Sequence, residues 1–300
     1  LTRPSRRASL PTVVHTIRAS VLSVALAAVA LPTTGCLKVP DENVDAPTSA
    51  PAAPTTAAEV LSRHVEALGG EEAVRAIKHR TIEARVIFYP EENCPEDDPS
   101  CITEEKTGSF LFQNTANGRL YRRTVIGDSI EERGFDGTKG WVMAGQALRI
   151  DTDEEAKVSA EDAQLHWYFD ADARNVEATL LPPRREDSDG QPRTLDGIKW
   201  VVDGQEPGKQ LWFDRETGLL REEVSEDGEG DQRVGQVVVY DDYKVVDGVK
   251  VPHLIKVTST FGDREQRVDF VTQRVLHDPI DDEKFAVPDL PEPEKKPDAL

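Results

Sequence analysis

Positive charge is scarce in this chain: 36 Lys and Arg stand against 56 Asp and Glu, for a formal net charge of −20. A surface of that sign repels nucleic acid and anionic headgroups, which excludes a nucleic-acid partner and a membrane contact made through basic residues. Long apolar runs are missing as well. The most apolar stretch, "ASVLSVALAAVALP", is about fourteen residues long, short of the roughly twenty that cross a bilayer as a helix. Catalytic signatures are absent: there is no GxSxG elbow, HExxH pair, P-loop or GxGxxG fingerprint, and the six histidines are scattered. Cysteine is limited to Cys36, Cys94 and Cys101, without CxxC spacing, so nothing suggests redox catalysis. The acidic tips "EDSDGQ" from Glu186 and "EDGEGDQ" from Glu226 lack the full ligand spacing of a calcium loop and read as solvated turns. A non-enzymatic protein with no cofactor and no metal is expected.

What is present begins with a secretory layout. Arg3, Arg6, Arg7 and Arg18 precede the apolar run, no acid interrupts them, and small residues follow it. Residues 1–35 are read as a signal peptide, whose removal leaves a charge of −24. Residues 36–56 are rich in Pro, Ala and Thr and read as a flexible tether. In an exported chain Cys94 and Cys101, bracketing "PEDDPS", read as a disulfide closing a hairpin tip, with two free thiols as the alternative. Residues 289–300, proline-rich and charged, are expected to be a disordered tail.

Between tether and tail, about 230 residues suffice for one sizeable core. Thr56-Ala-Ala-Glu59 reads as a capping box, followed by Val60, Leu61, Val65 and Leu68 at helical spacing and by Gly69 as terminator. A short helix from Glu71 to Lys78 is expected next. From Thr81 the period becomes two: Ile82, Ala84, Val86 and Phe88 alternate with polar residues, as do Phe110 and Phe112, then Val249, Val251, Ile255 and Val257, then Val268 and Phe270. Turn signals at Asn117-Gly118, Asp136-Gly137, Asp189-Gly190, Asp196-Gly197, Asp203-Gly204, Asp247-Gly248 and Asp214–Gly218 divide these runs into hairpins. A helical interruption is expected between Ser159 and Asp170. The pattern predicts an α+β domain, mainly β, whose antiparallel sheet curls around helices to cover its apolar face.

Two resemblances add to this. Thr33-Thr34-Gly35-Cys36 resembles the lipobox of bacterial lipoproteins, although Thr33 replaces the usual Leu. It implies that Cys36 is acylated and begins the mature chain; ordinary cleavage leaving a free thiol is the alternative. Further on, "HVEALGGEEAVRAIKHRTIEARV", "FDGTKGW", "LWFDRETGLL", "DYKVVDGVKVPHLIKV" and "DPIDDEKFAVP" follow in an order that resembles the outer-membrane lipoprotein-sorting superfamily, the LolA/LolB-like half-barrels, over residues 57–288. That resemblance implies an incomplete barrel of about ten or eleven antiparallel strands with helices across its concave side. It also implies a cavity for an acyl chain, lipid or lipoprotein.

The candidate ligand wall is therefore Ile82, Ala84, Val86, Phe88, Phe110, Phe112, Leu211, Phe213, Val249, Val251, Ile255, Val257, Val268 and Phe270; each is equally a plain core residue by pattern alone. Trp141, Trp167 and Trp212 are candidates for the rim or the lid, with faces that the pattern does not assign. His253 reads as a hydrogen-bonded core histidine beside a possible bulge at Pro252. The expected setting is the cell envelope: a monomer held at the outer membrane by its N-terminal lipid and facing the periplasm. The rival expectation is a structural or envelope-sensing lipoprotein that acts through protein contacts and binds no ligand.

Overall fold

A computed structural model describes residues 51–92, 102–169, 175–188, 191–205, 207–227 and 234–289. The signal segment, Cys36, Cys94, Cys101, the Asp189-Gly190 turn, the glycines of both acidic tips and residues 290–300 lie outside the described residues.

The chain forms helices α1 (Ala57–Leu68) and α2 (Glu71–Ala76), then strands β1 (His79–Phe88), β2 (Lys106–Thr115), β3 (Leu120–Ile126), β4 (Ser129–Phe135), β5 (Gly140–Ala144) and β6 (Ala147–Ile150). Helix α3 (Asp153–Asp162) leads to β7 (Val176–Ser188), β8 (Gln191–Val202), β9 (Lys209–Asp214), β10 (Leu220–Asp227), β11 (Val234–Val246), β12 (Val249–Phe261) and β13 (Arg264–Leu276). Among the described residues these thirteen strands make one antiparallel sheet, in the order β6-β5-β4-β3-β2-β1-β13-β12-β11-β10-β9-β8-β7. The chain thus enters mid-sheet at β1 and winds outward to the free edge β6. It then passes through α3 to the other free edge, β7, and winds back to β13 beside β1. The sheet is curled and unclosed. Register shifts at Glu83/Ala84, Leu181/Arg184 and Leu220/Glu222 mark irregularities of the kind that bend strands and increase twist.

Thirteen strands exceed the ten or eleven expected. Pro182 and Pro183 sit in β7 at the sheet edge, where a missing N–H costs no ladder bond. Asp196-Gly197 is not a turn: both residues lie inside β8. Asp196 is buried and accepts from Arg215 Nε at 3.1 Å, while Gly197 leaves room for the Trp212 indole, which a Cβ there would approach to 2.5 Å. The helix expected from Ser159 starts earlier, where Thr152 and Glu155 form a full capping box. At α1, Thr56 accepts from Glu59 N, but the Glu59 carboxylate reaches back to Thr55 N at 2.6 Å, one residue beyond the expected partner. Pro252 introduces no bulge; it pairs with Tyr243 in unbroken register. His253 is half-buried with Nδ1 3.1 Å from the Val251 carbonyl.

One large apolar cluster unites Val60, Leu61, Val65 and Leu68 of α1 with one face of the sheet, including Ile82, Phe112, Phe213 and Val249, and with Trp167 after α3. Within it His64 is 2% exposed, donates from Nδ1 to the Gly218 carbonyl at 3.1 Å, and meets Tyr168 and Phe213 edge-on. Burial pushes its pKa down to about 4, the Gly218 bond acting the other way. The unfolded chain therefore binds a proton that the folded chain refuses between pH 6.5 and about 4. Stability is full above pH 6.5 and falls as the pH drops through that window, by on the order of 3 kcal/mol from this residue. Urea titrations at pH 7 and pH 4.5 are expected to give a markedly smaller acid loss for His64→Gln than for the parent; equal losses would contradict this role.

A second, smaller cluster lies on the opposite face of the sheet, where Tyr121 and Trp141 pack with Ile280 and Phe285 of the C-terminal segment. Gly134 sits directly across from Trp141, and a Cβ on it would fall 2.3 Å from the indole. Gly134→Ala is expected to cost about 1–3 kcal/mol by displacing that ring, measurable as a lowered urea midpoint with a shifted Trp emission.

Candidate functional site

At one end of the curled sheet the core does not fill. A cavity of about 310 Å³ opens there, at the low end of the size range of small-molecule sites. The hairpins β1–β2, β3–β4, β10–β11 and β12–β13 all end on this side. The register places the wall: Phe88 of β1, Phe110 of β2, Thr124 and Ile126 of β3, Val257, Ser259 and Phe261 of β12, and Gln266, Val268 and Phe270 of β13. Phe110 closes the deep end, edge-on to Phe270 at 4.8 Å and stacked on Phe112 at 6.3 Å between centroids. Ile102, Ile126, Ile130 and Phe261 give the outer part an apolar lining, and Ile130 is 39% exposed.

Five of the sequence-derived wall residues border this space: Phe88, Phe110, Val257, Val268 and Phe270. The other nine, Ile82, Ala84, Val86, Phe112, Leu211, Phe213, Val249, Val251 and Ile255, are buried in the same apolar cluster away from this space. Trp141 and Trp212 face away from the cluster, each over a glycine, while Trp167 packs edge-on against Trp200 within it.

The polar part of the wall escaped sequence reasoning: Arg122, Thr124, Ser129, Glu131, Gln236, Ser259 and Gln266. Alternation assigns polar residues to the wet face, yet these continue the inward phase past the last apolar position. Ser259 and Phe261 follow Ile255 and Val257 in steps of two, and Arg122 follows Leu120. Phase, carried past the apolar run to the end of each strand, is the signal that would have found them.

Behind the deep end lies a buried charged group. Arg122 is 6% exposed, and its Nη2 is 3.9 Å from Glu131 Oε1. Burial and the neighbouring Arg133 lower its pKa, against the pull of Asp162 and Glu131. Asp162, at the end of α3, is buried with Oδ2 unpartnered among the described residues, and desolvation raises its pKa to about 6 despite Lys209, Arg122 and Arg133. Burial also works against the charge of Lys209, but Glu223, 2.9 Å away, and Asp162 outweigh it and hold the ammonium above its usual range. No cluster of His, Cys, Asp and Glu suited to a metal occurs among the described residues. The arrangement offers an apolar slot with Arg122 and Glu131 both in its wall.

No protein-family model matches the sequence, and no curated protein matches it. Solved structures do match by shape. A LolA superfamily protein from Nitrosomonas europaea superposes with a TM-score of 0.50 at 11% identity, covering 78% of this chain and 98% of that one. A DUF1329 family protein from Desulfovibrio piger gives 0.49 at 13% identity, over 77% and 95% of the two chains. An outer membrane lipoprotein-sorting protein domain from Vibrio parahaemolyticus gives 0.38 at 10% identity, over 76% and 95%. The first of these likenesses shows the fold, which is LolA-like: a single curled, unclosed antiparallel sheet with few helices.

Proposed function

We propose that this chain is an envelope lipoprotein that binds an acyl chain, free or carried by a lipid or lipoprotein, in the cavity of its curled sheet. The observation that carries the reading is the unfilled space of about 310 Å³ between apolar walls on the inward face of a LolA-like sheet. Burying one methylene is worth about 0.8 kcal/mol, so a wall of this kind holds a chain without any catalytic group. The cavity volume accommodates one chain rather than several. In this reading α1 and α3 roof the closed part of the concave side, where the buried face of α1 meets β7, β8 and β12 and α3 meets β3 to β5. The lipidated Cys36 and the tether of residues 36–56 keep the domain, as a monomer, beside the outer membrane and facing the periplasm. In this reading Cys94 and Cys101 form a disulfide within the segment joining β1 to β2.

Native mass spectrometry of protein extracted gently from its host membrane is the test. A population carrying the mass of one acyl-chain molecule is expected, and the bare polypeptide mass in every preparation would contradict the reading.

A further inference from the structure

A belt of neutral polar side chains crosses the cavity, and the sheet register sets it in line. Gln236 of β11 lies opposite Ser259 of β12, which in turn lies opposite Gln266 of β13. All three border the cavity, so they form one row across adjacent strands. One step deeper the same strands present Val238, Val257 and Val268; one step outward β12 presents Phe261. On the other arm of the curl Thr124 of β3 precedes Ile126, and Ser129 of β4 pairs with Ile126. The polar belt thus separates an apolar floor from an apolar rim.

Much of its hydrogen-bonding capacity is open. The Ser259 hydroxyl accepts from Gln236 Nε2 at 3.4 Å and donates to none of the described residues. The hydroxyls of Thr124 and Ser129 have no hydrogen-bond partner among the described residues. Gln266 uses both amide hydrogens, on the Tyr89 carbonyl at 2.9 Å and the Arg267 carbonyl at 3.1 Å, which leaves its amide oxygen. The Gln236 amide oxygen is open in the same way. Only Arg122 and Glu131 are charged among the wall residues, opposite in sign with Nη2 and Oε1 3.9 Å apart, so the wall is neutral as a whole. Hydroxyl donors and amide acceptors remain for a ligand, without net charge.

We propose that the cavity's ligand is a monoacylglycerol. Its tail lies on the floor made by Phe110 and Phe270, its ester carbonyl accepts from the Ser259 hydroxyl, and its glycerol hydroxyls donate to the amide oxygens of Gln236 and Gln266. The proposal rests on the acyl-binding reading above and adds the neutral head, its ester link and its direction. A ligand that enters strips water from the belt and must replace the lost hydrogen bonds, which an alkyl chain alone cannot do. An ester accepts and a glycerol hydroxyl donates, the complement of what the belt offers. A carboxylate head brings a charge into the slot that Arg122, already engaged, does not neutralise. An ammonium head meets only Glu131, which already faces Arg122.

The test measures affinity of the intact chain at pH 7.5 for four probes with twelve-carbon chains: 1-monododecanoylglycerol, its ether analogue 1-O-dodecylglycerol, dodecanoate and dodecylammonium. The ester is expected to bind at least tenfold more tightly than either charged probe and at least threefold more tightly than the ether, which lacks the carbonyl oxygen. Ser259→Ala is expected to erase the preference for ester over ether while ether affinity stays within twofold. Equal affinity for ester and ether overturns the carbonyl contact, as does a preference that survives in Ser259→Ala. Tighter binding of dodecanoate or dodecylammonium overturns the neutral head and leaves the acyl-binding reading standing; no binding of any probe overturns both. Should the variant fail to fold, the ranking of the four probes on the parent chain decides alone.

Discussion

Replacing Phe285 with alanine is expected to destabilise the protein by about 3–5 kcal/mol, the range for deleting a fully buried phenylalanine. Phe285 is 0% exposed although it lies outside every strand, in the segment that follows β13. That segment crosses to the outward face of the sheet and packs Ile280 and Phe285 on Tyr121 and Trp141. The Trp141 indole N–H donates to the Phe285 carbonyl at 3.1 Å, and Arg119 pairs with Asp282. Truncating Phe285 removes the ring that covers Trp141 and loosens the bond that fixes the indole. Two losses should coincide in a urea titration, a lower midpoint and a red-shifted tryptophan emission before the main transition. A midpoint within a few tenths of a kcal/mol of the parent would mean that the segment merely lies on the sheet.

The second large effect concerns binding. Ser259→Trp places an indole in the cavity from β12, where Ser259 is half-buried and makes one long contact, accepting from Gln236 Nε2 at 3.4 Å. Little folding energy rests on that hydroxyl, so the variant should melt near the parent temperature. The indole displaces ligand rather than protein. Losing burial of even three or four methylenes, at about 0.8 kcal/mol each, costs roughly 3 kcal/mol, or about a hundredfold in affinity. A folded Ser259→Trp protein that holds an acyl probe as tightly as the parent would place binding elsewhere.

Period-two alternation from Ile82 to Phe88 and again from Val249 to Val257 was enough to anticipate a curled antiparallel sheet, because one wet face and one dry face leave a sheet few ways to cover itself. Asn117-Gly118 and Asp247-Gly248 marked true hairpins, the latter with φ of 50° and 89°. The same dipeptide at Asp196-Gly197 misled, since there glycine serves the neighbouring indole of Trp212 instead of a turn. The strand count of ten or eleven came from the family resemblance rather than from this chain's own pattern, and among the described residues the sheet has thirteen.

The site was legible in part. Five of fourteen candidate residues border the cavity because alternation finds the inward face but not the place along it where packing stops. That place depends on which side chains arrive from opposite parts of the curl, such as Ala144 from β5 and Gln236 from β11. Arg122 and Arg133 were invisible as a pair, because their meeting depends on the β3–β4 register and neither stands beside the other in sequence. Phe285 was visible only as part of a motif; nothing in "DPIDDEKFAVP" announces that it crosses to the outer face.

The central claim is that the unfilled end of this sheet holds an acyl chain. Crystals grown with 12-bromododecanoate test it most directly, since bromine locates the chain by anomalous scattering. The account predicts one strong bromine peak within the space bounded by Phe88, Ile130, Phe261 and Phe270. Bromine found only on the outer face of the sheet, or a cavity empty at saturating ligand, would contradict it.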